Sequence, residues 1–166
     1  MTQLPFFVYG TLLPGQPNAY LWGESIAQME MAWFENGRLY DCGPYPMLIE
    51  ETAVLPIHGQ LITIHPDQYD AVLTRIDTLE GYTPQQPDQA TYQRVSRQVW
   101  VGHTHPHTQR RAWAWLYLGR ADLTTHLPPI PSGNWVTYAV NRHRQMSNWW
   151  RTVSSVAGLH DQAEDD

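Results

Sequence analysis

The sequence predicts an α+β fold: a small mixed, mostly antiparallel β-barrel with flanking helices. Three observations predict it. Strand-like segments are short and outnumber helical ones. The helical patterns fall at only two points, one in the middle of the chain and one near its end. The 166 residues include 8 Trp and 9 Tyr, but only 16% are charged, a balance that suits pleated, half-buried surfaces.

The elements follow in order. FFVY at 6–9 reads as a short buried strand that Gly10 ends, and LPGQPN is loop. Residues 18–22 suit a helical turn. IAQMEMAWFE at 26–35 alternates apolar and polar side chains, as a half-buried strand does. Asn36-Gly37 is a strong two-residue hairpin signal, with GRLYDC as the partner strand. GPYP turns the chain into a further strand, MLIEE. VLPIHGQLITI at 54–64 is strand again, its start on an edge at Pro56 and a bulge or close approach at Gly59.

His65-Pro66-Asp67 opens a helix, since Pro suits the first helical position and Asp the positive end of the dipole. Tyr69, Val72, Leu73, Ile76 and Leu79 recur at three- and four-residue spacing as one apolar stripe. Gly81 caps that helix. After the loop TPQQPDQAT come strands at 92–101 and 112–118, joined by GHTHPHTQ. The second is apolar on both faces and so is placed centrally. Following LPPIPSGNW, a helix is expected over about residues 135–150, capped by Ser132 or Asn134. One domain over 1–158 is expected, with an acidic tail without fixed structure at 159–166.

Composition excludes several function classes. A net charge of −6 argues against nucleic acid, because phosphate binding needs a basic face. No apolar run reaches the length of a membrane span, and MTQLPFF has no basic-then-apolar signal pattern. Cys42 is the one cysteine, compatible with a cytoplasmic location, and it reads as a buried structural thiol. His103, His105 and His107 alternate, but Pro106 interrupts them and no carboxylate completes a ligand set, so they read as a solvated hairpin tip without metal.

Two places can carry chemistry. Glu80 ends an apolar helical stripe at the negative end of the helix dipole. Burial there would raise its carboxyl toward neutrality, which suits acid–base work. The alternative is an exposed glutamate on a fraying helix end. Gly10 and Thr11 follow a buried strand, and backbone N–H groups there can bind a carboxylate or an oxyanion. The alternative is a plain turn.

Taken together, these segments resemble the gamma-glutamylcyclotransferase-like superfamily, including its AIG2-like branch. The resemblance rests on an ordered series: VYGTLLPGQPN, GRLYDCGPYPMLI, HGQLITI, LTRIDTLEGY, YQRVSRQVWV, AWAWLYL and IPSGNW, covering roughly residues 6–138. It departs at Asn134, where an acidic residue is common. The resemblance implies a mixed barrel with its pocket at one mouth, and release of 5-oxoproline from a small-molecule gamma-glutamyl substrate, with no metal or cofactor. It assigns Glu80 as the catalytic acid and base. Tyr9, Gly10, Thr11 and Leu12 would bind substrate, and Tyr117 would hydrogen-bond the substrate or Glu80. Tyr92 and Arg94, two apart on one strand face, read as structural. A non-catalytic small-molecule-binding member of the same fold is the alternative. Carbohydrate binding is a weaker one, requiring Trp22, Trp33, Trp113 and Trp115 in an exposed groove. The sequence carries no expectation about oligomeric state.

Overall fold

The computed structural model describes residues 3–52, 55–86, 90–102 and 110–152, with side chains as far as residue 144. The His-rich stretch 103–109 and the acidic tail therefore lie outside the described residues, as does part of the 83–91 loop.

Among the described residues, seven strands and two α-helices follow one another. The strands are β1 (Phe6–Val8), β2 (Ile26–Phe34), β3 (Gly37–Asp41), β4 (Pro46–Glu50), β5 (Ile57–Ile64), β6 (Tyr92–Val101) and β7 (Arg110–Gly119). Helix α1 spans Tyr69–Glu80, and α2 spans Trp135–Thr152. One turn of 3-10 helix, Ala19–Trp22, falls where a helical turn is expected.

Five strands close a barrel in the order β1-β5-β2-β6-β7, and β3 and β4 form a separate two-stranded sheet. Within the barrel, β1 pairs antiparallel with β5 and parallel with β7, which makes the barrel mixed. All three residues of β1 are buried, as a strand hydrogen-bonded on both edges and covered on both faces requires. The β6–β7 pair is the longest, in register from Tyr92↔Gly119 to Val101↔Arg110.

The Asn36-Gly37 hairpin is not formed. β2 pairs with β5 and β6 in the barrel, while β3 pairs with β4. A primed turn needs positive φ, and Gly37 is not among the positive-φ glycines. A Cβ on Gly37 would stand 2.6 Å from Leu48 Cδ1 and 3.2 Å from the Phe34 ring. The glycine serves close packing at a corner between two sheets. Gly59 on β5 marks a close approach, since its Cβ would stand 2.2 Å from the Val8 carbonyl oxygen. β7 is central, bonded to β6 and β1, but its first half is largely exposed, and Trp113 is 54% accessible.

Helix α1 starts at Tyr69, later than the Pro66 opening suggests; 66–68 is a turn. Its stripe behaves as spaced: Tyr69, Val72 and Ile76 are buried. They join Phe6, Val8, Ile62 and Ile64 in the core. Burying Val72 and Ile76 stabilises the domain by about 1.5–3 kcal/mol each. Leu79, at the end of the stripe, is exposed.

The chain divides into two compact units, Met1–Trp135 and Val136–Asp166. The barrel, the small sheet and α1 all belong to the first. No described helix is long and apolar enough to cross a membrane.

Candidate active site

Gly81 builds the end of α1. It adopts a left-handed conformation, φ 65°, which glycine enters without a Cβ penalty. Its N–H donates to the Thr78 carbonyl at 3.3 Å, and the Tyr82 N–H donates to the Asp77 carbonyl at 2.9 Å. These two bonds close the helix as a Schellman motif and fix Glu80 as the last helical residue.

Glu80 lines a cavity of about 530 Å³, together with Tyr9, Gly10, Thr11, Leu12 and Tyr117. The structure thus brings every sequence-predicted site residue to one cavity. Among the described residues no group donates a hydrogen bond or forms an ion pair with the Glu80 carboxyl. Burial, and then the nearby Asp77 carboxylate, push its pKa from 4.5 up to about 7. Both effects disfavour the ionised form.

The loop after β1 is tied down through its carbonyls. Gly10 O accepts from Leu13 N–H at 3.0 Å, and Thr11 O from Asn18 N–H at 2.9 Å. Leu12 O accepts from the Trp22 indole N–H at 2.8 Å. The Asn18 amide donates to Thr11 Oγ1 at 2.9 Å. By contrast, the N–H groups of Gly10, Thr11 and Leu12 donate to no acceptor among the described residues. Such a row of N–H groups at a cavity wall is able to receive an anion. Gly10 is required by space: a Cβ there would stand 2.7 Å from Pro46 Cγ.

Tyr9 is buried, and its hydroxyl donates to the Tyr117 carbonyl at 2.7 Å. Tyr117 differs from expectation in one respect. Its hydroxyl donates to Asp77 Oδ1 at 2.6 Å, and not to Glu80. Burial first, then this bond to a carboxylate, raise the Tyr117 pKa well above its ordinary value.

Sequence reasoning missed Asp77 and did not place Tyr92 at the cavity. Tyr92 lines the cavity and donates its hydroxyl to the Pro46 carbonyl at 3.2 Å. Burial drives its pKa strongly upward. Arg94 does act structurally, donating Nη1 to Asp77 Oδ2 at 2.6 Å. Asp77 was signalled by its three-residue spacing from Glu80, which puts both on one helix face. No Trp lines the cavity. Trp22 is buried, and Trp33 and Trp115 are half-buried, so the groove of exposed Trp that carbohydrate binding requires is not formed by these residues. Among the described residues no three His, Cys, Asp or Glu side chains gather as a metal site.

Comparison with known proteins places this geometry in a family. The family model "Gamma-glutamyl cyclotransferase, AIG2-like" matches residues 6–137. Among solved structures, YtfP from Escherichia coli is 26% identical, with 80% of this chain and 96% of that one covered and a TM-score of 0.51. An AIG2-like protein from Mus musculus is 24% identical over 78% of this chain and 86% of its own, with a TM-score of 0.52, and shares the fold. A protein from Arabidopsis thaliana shares it too, at 16% identity, 92% and 90% coverage and a TM-score of 0.53. The curated proteins yielded no match. With the family match spanning the barrel, α1 and the whole cavity, the chain belongs to the gamma-glutamyl cyclotransferase, AIG2-like family.

Proposed function

We propose that the protein is a cyclotransferase that releases 5-oxoproline and a free amine or amino acid from a small gamma-glutamyl compound. The observation that carries this reading is Glu80: a carboxyl pushed up to about 7, lining a cavity and without a hydrogen bond from the described residues.

The reaction needs one proton carrier and an anion site. The nucleophile belongs to the substrate, so a Ser or Cys nucleophile has no task. Glu80, ionised, takes a proton from the substrate's α-ammonium. The freed amine attacks the γ-carbonyl, and a C–N bond forms as the carbonyl becomes an oxyanion. Glu80, now protonated, returns that proton to the leaving nitrogen as its bond to the γ-carbon breaks; ionised again, it takes the second proton from the new ring nitrogen and passes it to the released amine. A carboxyl titrating near the working pH performs both transfers with little energetic mismatch. The N–H groups of Gly10, Thr11 and Leu12 supply the anion site, either for the oxyanion or for the substrate's α-carboxylate. Tyr9 and Tyr92 wall the cavity and leave their hydroxyls bonded to backbone. Attack within one molecule needs only that amine and carbonyl be held close, which a cavity of this size achieves.

The test is incubation of the purified chain with a panel of gamma-glutamyl amines and dipeptides, with 5-oxoproline quantified. Release from at least one compound is expected. Saturable binding of these compounds without release across the panel would replace the enzyme with a non-catalytic binding protein on the same fold.

A further inference from the structure

Glu80 lies three residues from an aspartate on its own helix face, and a strand arginine bonds that aspartate. A carboxylate that neighbours an arginine's partner on one helix face can share that guanidinium, because charge-assisted bonds are strong. Glu80 does not, and the surroundings of Asp77 give the reason.

Both Asp77 oxygens are occupied. Oδ1 accepts from the Tyr117 hydroxyl and Oδ2 from Arg94 Nη1, each at 2.6 Å. Both members of the ion pair are largely covered, with side-chain exposures of 13% for Arg94 and 14% for Asp77. The guanidinium stacks on two rings, Tyr82 at 5.2 Å and Trp115 at 5.0 Å from their centroids. Trp115 is itself anchored: its indole N–H donates to the Tyr69 hydroxyl at 2.9 Å, which donates to the Leu4 carbonyl at 2.7 Å. The clamp therefore runs through α1, β6 and β7, down to the residues before β1.

We propose that Asp77 is a positioning residue for Glu80: by engaging Arg94 and Tyr117 at once, it keeps both donors off the Glu80 carboxyl and leaves that carboxyl open to a ligand ammonium. The ammonium belongs to the proposed gamma-glutamyl substrate, so this part rests on that reading. The clamp itself rests on the contacts alone.

The groups facing Glu80 are few. From α1 there is Asp77, from the end of β1 Tyr9, from β6 Tyr92 with Arg94 beyond it, and from β7 Tyr117. Burial raises all three phenols, so they stay neutral. Burial also raises the Asp77 carboxyl, and the Tyr117 and Arg94 donors oppose that rise. A proton on Asp77 would compete with the Arg94 donor. Among the described residues the charged group that acts on Glu80 is thus Asp77, to which Arg94 is bonded. Remove the Asp77 charge, and a buried guanidinium loses its anion, which is costly. Glu80 is the other carboxyl on the helix face that holds Asp77. Paired with Arg94, Glu80 would hold its ionised form more firmly and accept a proton poorly.

The test titrates Glu80 directly in the whole chain. Glutamate side-chain carboxyl carbons are labelled with carbon-13, and the Glu80 signal is assigned by its loss in Glu80→Gln. In Asp77→Asn the Glu80 midpoint is expected to fall by at least about one pH unit, roughly tenfold in proton affinity. In the double variant Asp77→Asn, Arg94→Gln it is expected to return toward the wild-type value, because burial remains and the competing cation is gone. Arg94→Gln alone leaves the Asp77 carboxyl beside Glu80 and bonded to Tyr117, and Glu80 is expected at or above its wild-type midpoint. A merely structural ion pair would leave Glu80 as low in the double variant as in Asp77→Asn, since both lose only the like charge of Asp77 that raises it, and that outcome also overturns the proposal. An unchanged midpoint in folded Asp77→Asn overturns the proposal. So does a lowered midpoint in Arg94→Gln, which decides the matter if Asp77→Asn does not fold. None of these readouts needs turnover. The expected midpoints in a protein that releases no 5-oxoproline would uphold the role of Asp77 and retire the cyclotransferase reading.

Discussion

Replacing Glu80 with Gln should make the protein more stable at alkaline pH. The unfolded chain gives up the Glu80 proton near its ordinary value of 4.5, whereas the folded chain keeps it until about 7. A raised carboxyl pKa means that folding is progressively penalised as pH rises from 4.5 to 7, and that the penalty is constant above. The gap of about 2.5 units, at 1.36 kcal/mol each, is a penalty of about 3 kcal/mol. Solvent entering through the cavity makes this an upper bound. Gln is neutral and close to isosteric, so it has no such penalty. Urea unfolding of both proteins at pH 4 and pH 8 measures it. Near pH 4 the two should agree within a few tenths of a kcal/mol, since Glu80 is then neutral in both states. At pH 8 the variant should be more stable by roughly 1–3 kcal/mol. Every other titrating group is common to both proteins and cancels in the difference. A difference between wild type and variant that stays constant from pH 4 to pH 8 would refute the reasoning, because Glu80 would then titrate alike in the folded and unfolded chain.

Two further substitutions probe the scaffold that holds the site. Gly81→Ala meets no steric obstacle but must hold φ 65°; it should cost about 1–2 kcal/mol in urea unfolding and lower turnover by moving the end of α1. Gly59→Ala drives a Cβ to 2.2 Å from the Val8 carbonyl oxygen and 2.9 Å from the Phe7 ring. It should part β1 from β5 and cost about 3 kcal/mol or more, read as a lowered thermal midpoint or as loss of soluble protein.

Much of this fold was legible in local patterns. The stripe Tyr69, Val72, Ile76 marked α1, and Gly81 marked its end, because both depend on neighbours in sequence. Local context left Glu80 two readings, a carboxyl raised at a glycine-capped helix end or an exposed glutamate, and the resemblance chose between them. Pairing across the barrel was not legible. The parallel β1–β7 contact at Phe6↔Trp115 joins segments far apart in the chain, and no local signal selects it. Asn36-Gly37 misled because a glycine can serve a turn or a close approach, and only the Leu48 and Phe34 side chains beside Gly37 decide between them. The same limit hid the clamp. Asp77 finds Arg94 across 17 residues and Tyr117 across 40, and only barrel closure brings them together. Tyr117 lines the cavity, but its hydroxyl partner depended on that closure.

The most direct measurement compares 5-oxoproline release by wild type and by Glu80→Gln on the same gamma-glutamyl compound, with binding of that compound and folding checked in both. The account predicts turnover by the wild type, and a loss of at least about a hundredfold in the variant, with the compound still bound and the barrel intact. Turnover at an undiminished rate in a folded Glu80→Gln protein would contradict it.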